Sequence, residues 1–260
     1  MAFFFLLKKY LNPASTSLKK MSNFLLALFE WKIAKKSRLK SYPLNLTICS
    51  GNICNLSCSL CPVGQNASGR EKGFMKFETL KKIIDECGAY LYHIDLFNWG
   101  EPLLNPEIFK MIRYAKDHKI DVAISSNLNH FNDKICENII TSGLDTLIIS
   151  LDGGSQESSE KYQKHNNFSN VIENIKKIVQ KKQELKKNTP FIQWRFLVNS
   201  YNYHEIPKAR KLAHQLKINK LELAPFRCDM GQELFLKDKS QIENVKSWLP
   251  PEESFSMYNY

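Results

Sequence analysis

Three cysteines within eight residues are the part of this chain best equipped for chemistry. Cys54, Cys58 and Cys61 stand at spacing C-x3-C-x2-C, and a loop that short can turn three sulfurs toward one centre. Three thiolates on a 4Fe-4S cluster leave one iron without a protein ligand, open to a substrate or cofactor. Electron-transfer ferredoxins use four cysteines instead. A structural zinc site also wants four protein ligands, and no fourth cysteine or histidine stands nearby at suitable spacing. The bland alternative is three buried thiols acting as small apolar side chains.

The elements around the loop must position it. Leu44 to Cys49 alternates in polarity and carries β-branched residues, which predicts a strand. The cysteine loop then lies just past a strand's C-terminal end, where parallel α/β barrels carry their chemistry. The polar stretch from Pro62 to Gly73 fits a long loop able to wrap a cofactor. Leu80, Ile83, Ile84 and Cys87 share one face of a helix expected over 77–87. Further strands are expected over 93–97, 120–125, 146–151, 191–199 and 218–224. Helices are expected over 106–118, through Ile135 and Ile139 to a C-cap at Gly143, over 168–187 and over 204–216. Repeated βα units with apolar strands describe a parallel sheet covered by helices. Six such units fall short of a closed eight-fold barrel, so the expected fold is α/β, a partial (βα)6 TIM-like barrel.

Composition narrows the class. A hydrophobic fraction of 43% supports a buried core, and 260 residues suit one domain with appendages. Seven cysteines without a secretory signal point to a reducing, cytoplasmic setting rather than a disulfide framework. Of the net charge of +11, most sits in residues 1–40, which hold nine Lys/Arg and a single acid, Glu30. The remainder is only mildly basic, so no specific nucleic acid is expected. The apolar runs Ala2–Leu7 and Phe24–Phe29 are too short to span a bilayer. Interleaved with lysines, and with Pro13 separating two helical pieces, they suit an arm lying on an anionic membrane surface, peripheral rather than inserted. The alternative is a helix packed on the core with its lysines solvated. The expected division is a basic arm over 1–43, a core over 44–230 and a short tail over 231–260.

From about Leu44 to Phe226 the order of motifs resembles the radical S-adenosylmethionine (SAM) enzymes. The cysteine loop matches that family's cluster loop, although Leu60 stands where an aromatic residue often precedes the third cysteine. Trp99-Gly100-Glu101-Pro102 resembles its GGEP motif, with Trp99 in place of the first glycine. The resemblance implies a 4Fe-4S cluster on Cys54, Cys58 and Cys61, its open iron chelated by SAM. It implies that Gly100 and Glu101 hold the methionine amino group, with Trp99 and Pro102 beside them. Ser126 and Asn127 at the end of the third strand, and Ser150 and Asp152 at the end of the fourth, would meet SAM's ribose and carboxylate; ordinary turn capping explains the same residues. Where the family often has an arginine pairing with that carboxylate, this chain has Gln163, so Lys164 or Arg195 would substitute.

The resemblance also implies a one-electron donor such as flavodoxin or ferredoxin, reductive cleavage of SAM, and hydrogen abstraction by a 5′-deoxyadenosyl radical. No protein side chain is assigned as catalytic. The phrasing is nearest to the branch with a C-terminal SPASM or Twitch extension, which includes peptide and sulfatase maturases and sugar-alcohol dehydrogenases. No cysteine follows Cys228, so an auxiliary-cluster domain is expected to be missing. Two other functions stay open: a cluster-bearing accessory protein without turnover, and a membrane-surface scaffold. Cys49, Cys87, Cys136 and Cys228 are expected as buried apolar residues, and no histidine is given a role.

Overall fold

Along Phe191–Val198 the side chains alternate: Ile192, Trp194, Phe196 and Val198 are buried, while Gln193, Arg195 and Leu197 are only half so. That is the period-2 pattern of a strand with one face under helices and the other toward an open interior. The computed structural model of the protein describes residues 17–35, 37–66, 69–225 and 247–251. Within these, six strands form one sheet in chain order, every pair parallel: β1 (Asn45–Thr47), β2 (His93–Asp95), β3 (Asp121–Ser126), β4 (Thr146–Ser150), β5 (Phe191–Val198) and β6 (Lys220–Pro225). This is the expected α/β partial barrel.

Helices α1 (Leu18–Lys32), α2 (Phe77–Cys87), α3 (Ile108–Asp117), α4 (Asp133–Thr141), α5 (Gln156–Tyr162), α6 (Phe168–Glu184) and α7 (Ile206–Gln215) complete the described elements, with 3-10 turns at Pro102–Leu104 and Tyr203–Glu205. The core lies between strands and helices. Ile94, Val122, Ile124, Leu147 and Ile149 meet Leu80, Ile84, Met111, Ile112, Ile139 and Ile175 there. Each such burial contributes roughly 1.5–3 kcal/mol relative to exposure. The C-cap of α4 is Ser142, one residue before the expected Gly143, which follows at φ +86°.

Three sequence expectations need correction. Residues 155–167 were given no element, yet α5 forms there. Its stretch Gln156–Tyr162 lacks an apolar period; instead Ser155 caps it by accepting from the Ser158 N–H at 3.3 Å. Strand β1 ends at Thr47, so Cys49 belongs to the loop. Its partly exposed thiol donates to the carbonyls of Gly51 at 3.0 Å and Trp99 at 3.3 Å. Cys87 and Cys136 are buried as expected. The third correction concerns α1, which packs on the core but does not leave all its lysines solvated: Lys20 is buried, and its ammonium donates to the Lys119 carbonyl at 2.6 Å. Pro13, the run Ala2–Leu7, Cys228 and nearly all of the proposed tail lie outside the described residues.

Candidate active site at the C-terminal edge of the sheet

The chain that leaves β1 folds into a loop held from several sides. The Cys61 N–H donates to the Cys58 carbonyl at 3.1 Å, and the Gln65 amide donates to the same carbonyl at 2.8 Å. Ser57 and Ser59 donate their N–H groups to the carbonyls of Lys164 (3.2 Å) and Tyr162 (2.9 Å). The loop is thereby pinned to the end of α5. Gly64 lets the turn close: a Cβ there would stand 2.7 Å from the Cys58 nitrogen.

All three cysteines of the loop line one cavity of about 310 Å³, together with groups at the C-terminal ends of β2 to β5. From the sequence candidates the structure brings in Trp99, Gly100, Glu101, Asn127, Ser150 and Arg195, with Asp152 beside them. Pro102, Ser126 and Lys164 are not part of the wall. Pro102 is buried as the first residue of the 3-10 turn. Ser126 is buried too, its hydroxyl accepting from the Leu128 N–H at 3.0 Å. Lys164 is exposed and meets the cysteine loop through its carbonyl.

Most polar groups in the wall already have structural work. Gly100, at φ +80°, lies against the cysteine loop: a Cβ would be 2.6 Å from the Gly51 carbonyl oxygen and 2.8 Å from that of Ile53. Its small size serves that backbone approach. The Glu101 N–H donates to the Ile53 carbonyl at 2.9 Å. Its buried carboxylate accepts from the N–H groups of Leu103 (3.0 Å) and Asn127 (2.8 Å). Burial pushes its pKa up to about 7, against those hydrogen bonds. Asp152 is raised to about 7 for the same reason, although the Leu197 N–H and the nearby Arg195 favour its charge.

Gln163 does not sit as a free carboxylate partner. Its amide oxygen accepts from the Asp152 N–H at 2.9 Å and its amide nitrogen donates to the Ser150 carbonyl at 3.0 Å, bracing the end of β4. Arg195, level with Ser150 in the sheet, donates from Nε to Glu222 on β6 at 2.8 Å. The Asn127 amide reaches the Cys54 sulfur at 3.8 Å and Asn55 Oδ1 at 3.0 Å.

Sequence reasoning missed a set of asparagines that hold this edge together. Asn129 donates to Asn166 Oδ1 at 2.8 Å, and buried Asn174 on α6 donates to the Leu128 carbonyl at 2.9 Å. Leu128 sits at φ +54°, a strain of about 1–3 kcal/mol for a non-glycine residue. Isolated asparagines leave no pattern in one sequence. Tyr162, in the cavity wall, was missed for the same reason as α5.

The thiols fit a metal cluster. None of the described cysteines is in a disulfide. Burial raises the Cys54 pKa to about 11 and drives Cys58 well above the ordinary range, with Cys61 adding repulsion at both. Bare thiolates are thus disfavoured there, and a cationic centre is what would ionise them. Among the described residues no three His, Cys, Asp or Glu side chains are grouped to hold a single metal ion. A four-iron cluster is a larger body, taking its thiolates at its corners.

Residues 48–193 match the model of the radical SAM superfamily, more than half of the chain. The chain belongs to the radical SAM superfamily. Its cofactors are a 4Fe-4S cluster and S-adenosylmethionine. The chain is 28% identical over 163 residues to the AdoMet-dependent heme synthase of Methanosarcina barkeri, covering 63% of this chain and 45% of that protein. It is 25% identical over 168 residues to the tungsten-containing aldehyde ferredoxin oxidoreductase cofactor-modifying protein of Pyrococcus furiosus, covering 64% of this chain and 47% of that one. The fold is similar to that of SuiB from Streptococcus suis bound to S-adenosylmethionine, with TM-score 0.63 and 18% identity over 83% of this chain and 48% of SuiB. SuiB bound to its precursor peptide SuiA gives TM-score 0.64 at the same identity, covering 90% of this chain and 52% of SuiB. This radical SAM chain therefore spans about half the length of these relatives.

Proposed function

We propose that Cys54, Cys58 and Cys61 hold the cluster, and that Trp99, Gly100, Asn127, Ser150, Asp152 and Arg195 shape the space for SAM beside it. The observation that carries this is their convergence: three free thiols from one loop and the C-terminal ends of four neighbouring strands line a single cavity. When bound, the two cofactors supply reductive cleavage of SAM and a radical able to take hydrogen from an unreactive C–H bond. The chain's own residues position and exclude. In this reading the backbone carbonyls of Trp99, which also accepts from the Cys49 thiol, and of Gly100 would take an ammonium group. Ser150, whose hydroxyl lies 3.5 Å from that of Ser125, offers a donor to a hydroxyl or carboxylate. Arg195 is the cation in the wall, and turning it toward a carboxylate means sharing it with Glu222. Glu101 and Asp152 act as scaffolding, since their carboxylates hold the loops after β2 and β3 and the C-terminal part of β5 by backbone N–H groups.

In this proposal the protein is a radical SAM oxidoreductase or maturase of the cytoplasm, served by a flavodoxin- or ferredoxin-like donor and acting in peptide or protein maturation or in sugar-type oxidation. The likeness to SuiB, seen with a precursor peptide, supports the peptide side. The second proposal is an accessory protein that binds the cluster without turnover. The engagement of Gln163 with backbone and of Arg195 with Glu222 favours it.

Anaerobic reconstitution with iron and sulfide, then reduction with SAM and assay for 5′-deoxyadenosine, separates the two. Deoxyadenosine that vanishes in Cys58→Ala supports the enzyme. A full iron count without SAM cleavage supports the accessory protein. Failure to take up iron would overturn both.

A further inference from the structure

Helix α1 is amphipathic in the inverted sense. Toward the core it turns Lys20, Asn23, Phe24 and Glu30. Outward it turns Leu18, Leu25, Phe29 and Ile33, a single face at three-to-four-residue spacing, left 80%, 52%, 48% and 72% exposed. Leu26, Trp31 and Leu39 are also exposed. The orientation is specified by the buried polar groups, each of which has a dedicated partner. Lys20 is held by the Lys119 carbonyl. Asn23 exchanges hydrogen bonds with the Tyr42 backbone at 2.8 and 3.0 Å. Glu30, with no exposure, accepts from the N–H groups of Lys40 (2.8 Å) and Ser41 (3.0 Å). Rolling the helix to bury its leucines would strand all three groups.

The exposed charge carried by residues 17–40 is of one sign. Lys19, Lys32, Lys35, Arg38 and Lys40 are exposed, and the one acid between residues 17 and 40 is the buried Glu30. Lys32 lies over the Trp31 ring, 3.9 Å from its centroid. Apolar and aromatic side chains among cations, on a segment with no exposed acid over residues 17–40, complement a lipid surface carrying negative headgroups. A second copy would set like charges against each other. Residues 1–16 carry Lys8 and Lys9 and no acid, so they do not complement the charge either.

We propose that α1 docks this protein on an anionic lipid surface, lying in the interface rather than crossing it. Among the described residues no helix is long and apolar enough to span a membrane. The fold sets the polarity of docking. Phe24 of α1 packs with Tyr92 and Leu44, and Lys20 reaches Lys119. These three partners lie within two residues before the starts of β2, β1 and β3, so α1 lies at the N-terminal ends of the strands. The cysteine-lined cavity is at the C-terminal ends. Docking thus leaves the site at the end of the sheet away from the lipid, open to a substrate and electron donor from the aqueous side.

Sedimentation of the full chain with phosphatidylcholine vesicles, with and without phosphatidylglycerol, tests this. Binding is expected on the mixed vesicles alone, to weaken with salt, and to fall by about tenfold or more in Leu25→Glu/Phe29→Glu and in Lys19→Glu/Lys32→Glu. All four positions are exposed, and a melting curve checks that the variants fold. No binding, equal binding to neutral vesicles, or binding unchanged in both variants would overturn the proposal. So would a concentration-dependent dimer that Leu25→Glu/Phe29→Glu abolishes, which would assign the face to a second copy.

Discussion

The two ends of the sheet treat polar side chains alike and apolar ones oppositely. At the C-terminal edge Glu101, Asp152, Gln163 and Asn174 are buried and joined to backbone groups. At the N-terminal edge Lys20, Asn23 and Glu30 are buried and joined to backbone groups in the same way. What lies outside them differs. The first end encloses a cavity walled by thiols and strand termini. The second presents leucines and aromatics to solvent. Buried polar groups hydrogen-bonded to the backbone fix orientation in both places. At one end the orientation thus fixed aims cysteines inward, and at the other it aims an apolar face outward.

Five substitutions, one of them read against pH, sharpen that contrast. The largest effect is expected for Cys58→Ala: loss of the reconstituted cluster, read as iron content and visible absorbance, with the apoprotein fold retained in circular dichroism. Next comes Phe24→Ala, which empties the small cluster under α1 and is expected to cost about 3 kcal/mol or somewhat more in denaturant unfolding. Gly100→Ala forces a Cβ against the cysteine loop at a positive φ, a cost of about 1–3 kcal/mol from the backbone alone, with disturbed cluster uptake. By contrast Leu25→Ser, on the exposed face of the same helix as Phe24, is expected to shift stability by no more than about 0.5 kcal/mol. If Leu25→Ser cost as much as Phe24→Ala, the outward face of α1 would be covered by the protein itself.

The smallest expected effect is a pH dependence at Glu205. Burial opposes its charge, but hydrogen bonds from Ser158, Ser155 and the Gly154 N–H, with Lys208 nearby, outweigh burial and lower its pKa. The folded value lies below the unfolded one. Its contribution is therefore present above the ordinary glutamate range and lost as pH falls through the folded value. Glu205→Gln should lower Tm at neutral pH and change it little at acid pH, so that the acid limb of a plot of Tm against pH becomes flatter.

Much of the barrel was legible because its strands and helices carry strong periods. The 77–87 helix was expected with the bounds observed, and β3 to β6 fell within two residues of their expected starts. The cysteine loop was legible because three thiols at short spacing have few other uses. The wall of the cysteine-lined cavity was less so. Glu101 and Gln163 look like ligand-binding groups in a sequence, and only their partners show that backbone N–H and carbonyl groups occupy them. Helix α5 escaped because its stretch Gln156–Tyr162 lacks an apolar period.

The sequence by itself determined the three-cysteine loop, the six strands with the helices between them and the concentration of basic charge in the first forty residues. Each of these is a local property of composition and spacing. The tertiary structure alone decided which way α1 turns and which polar groups remain for a ligand. Both depend on partners far along the chain: Lys20 on Lys119, Glu101 on Asn127, and Arg195 on Glu222. A hydrogen bond satisfied across such separations leaves no periodicity to read, yet it determines whether a side chain is scaffold or site.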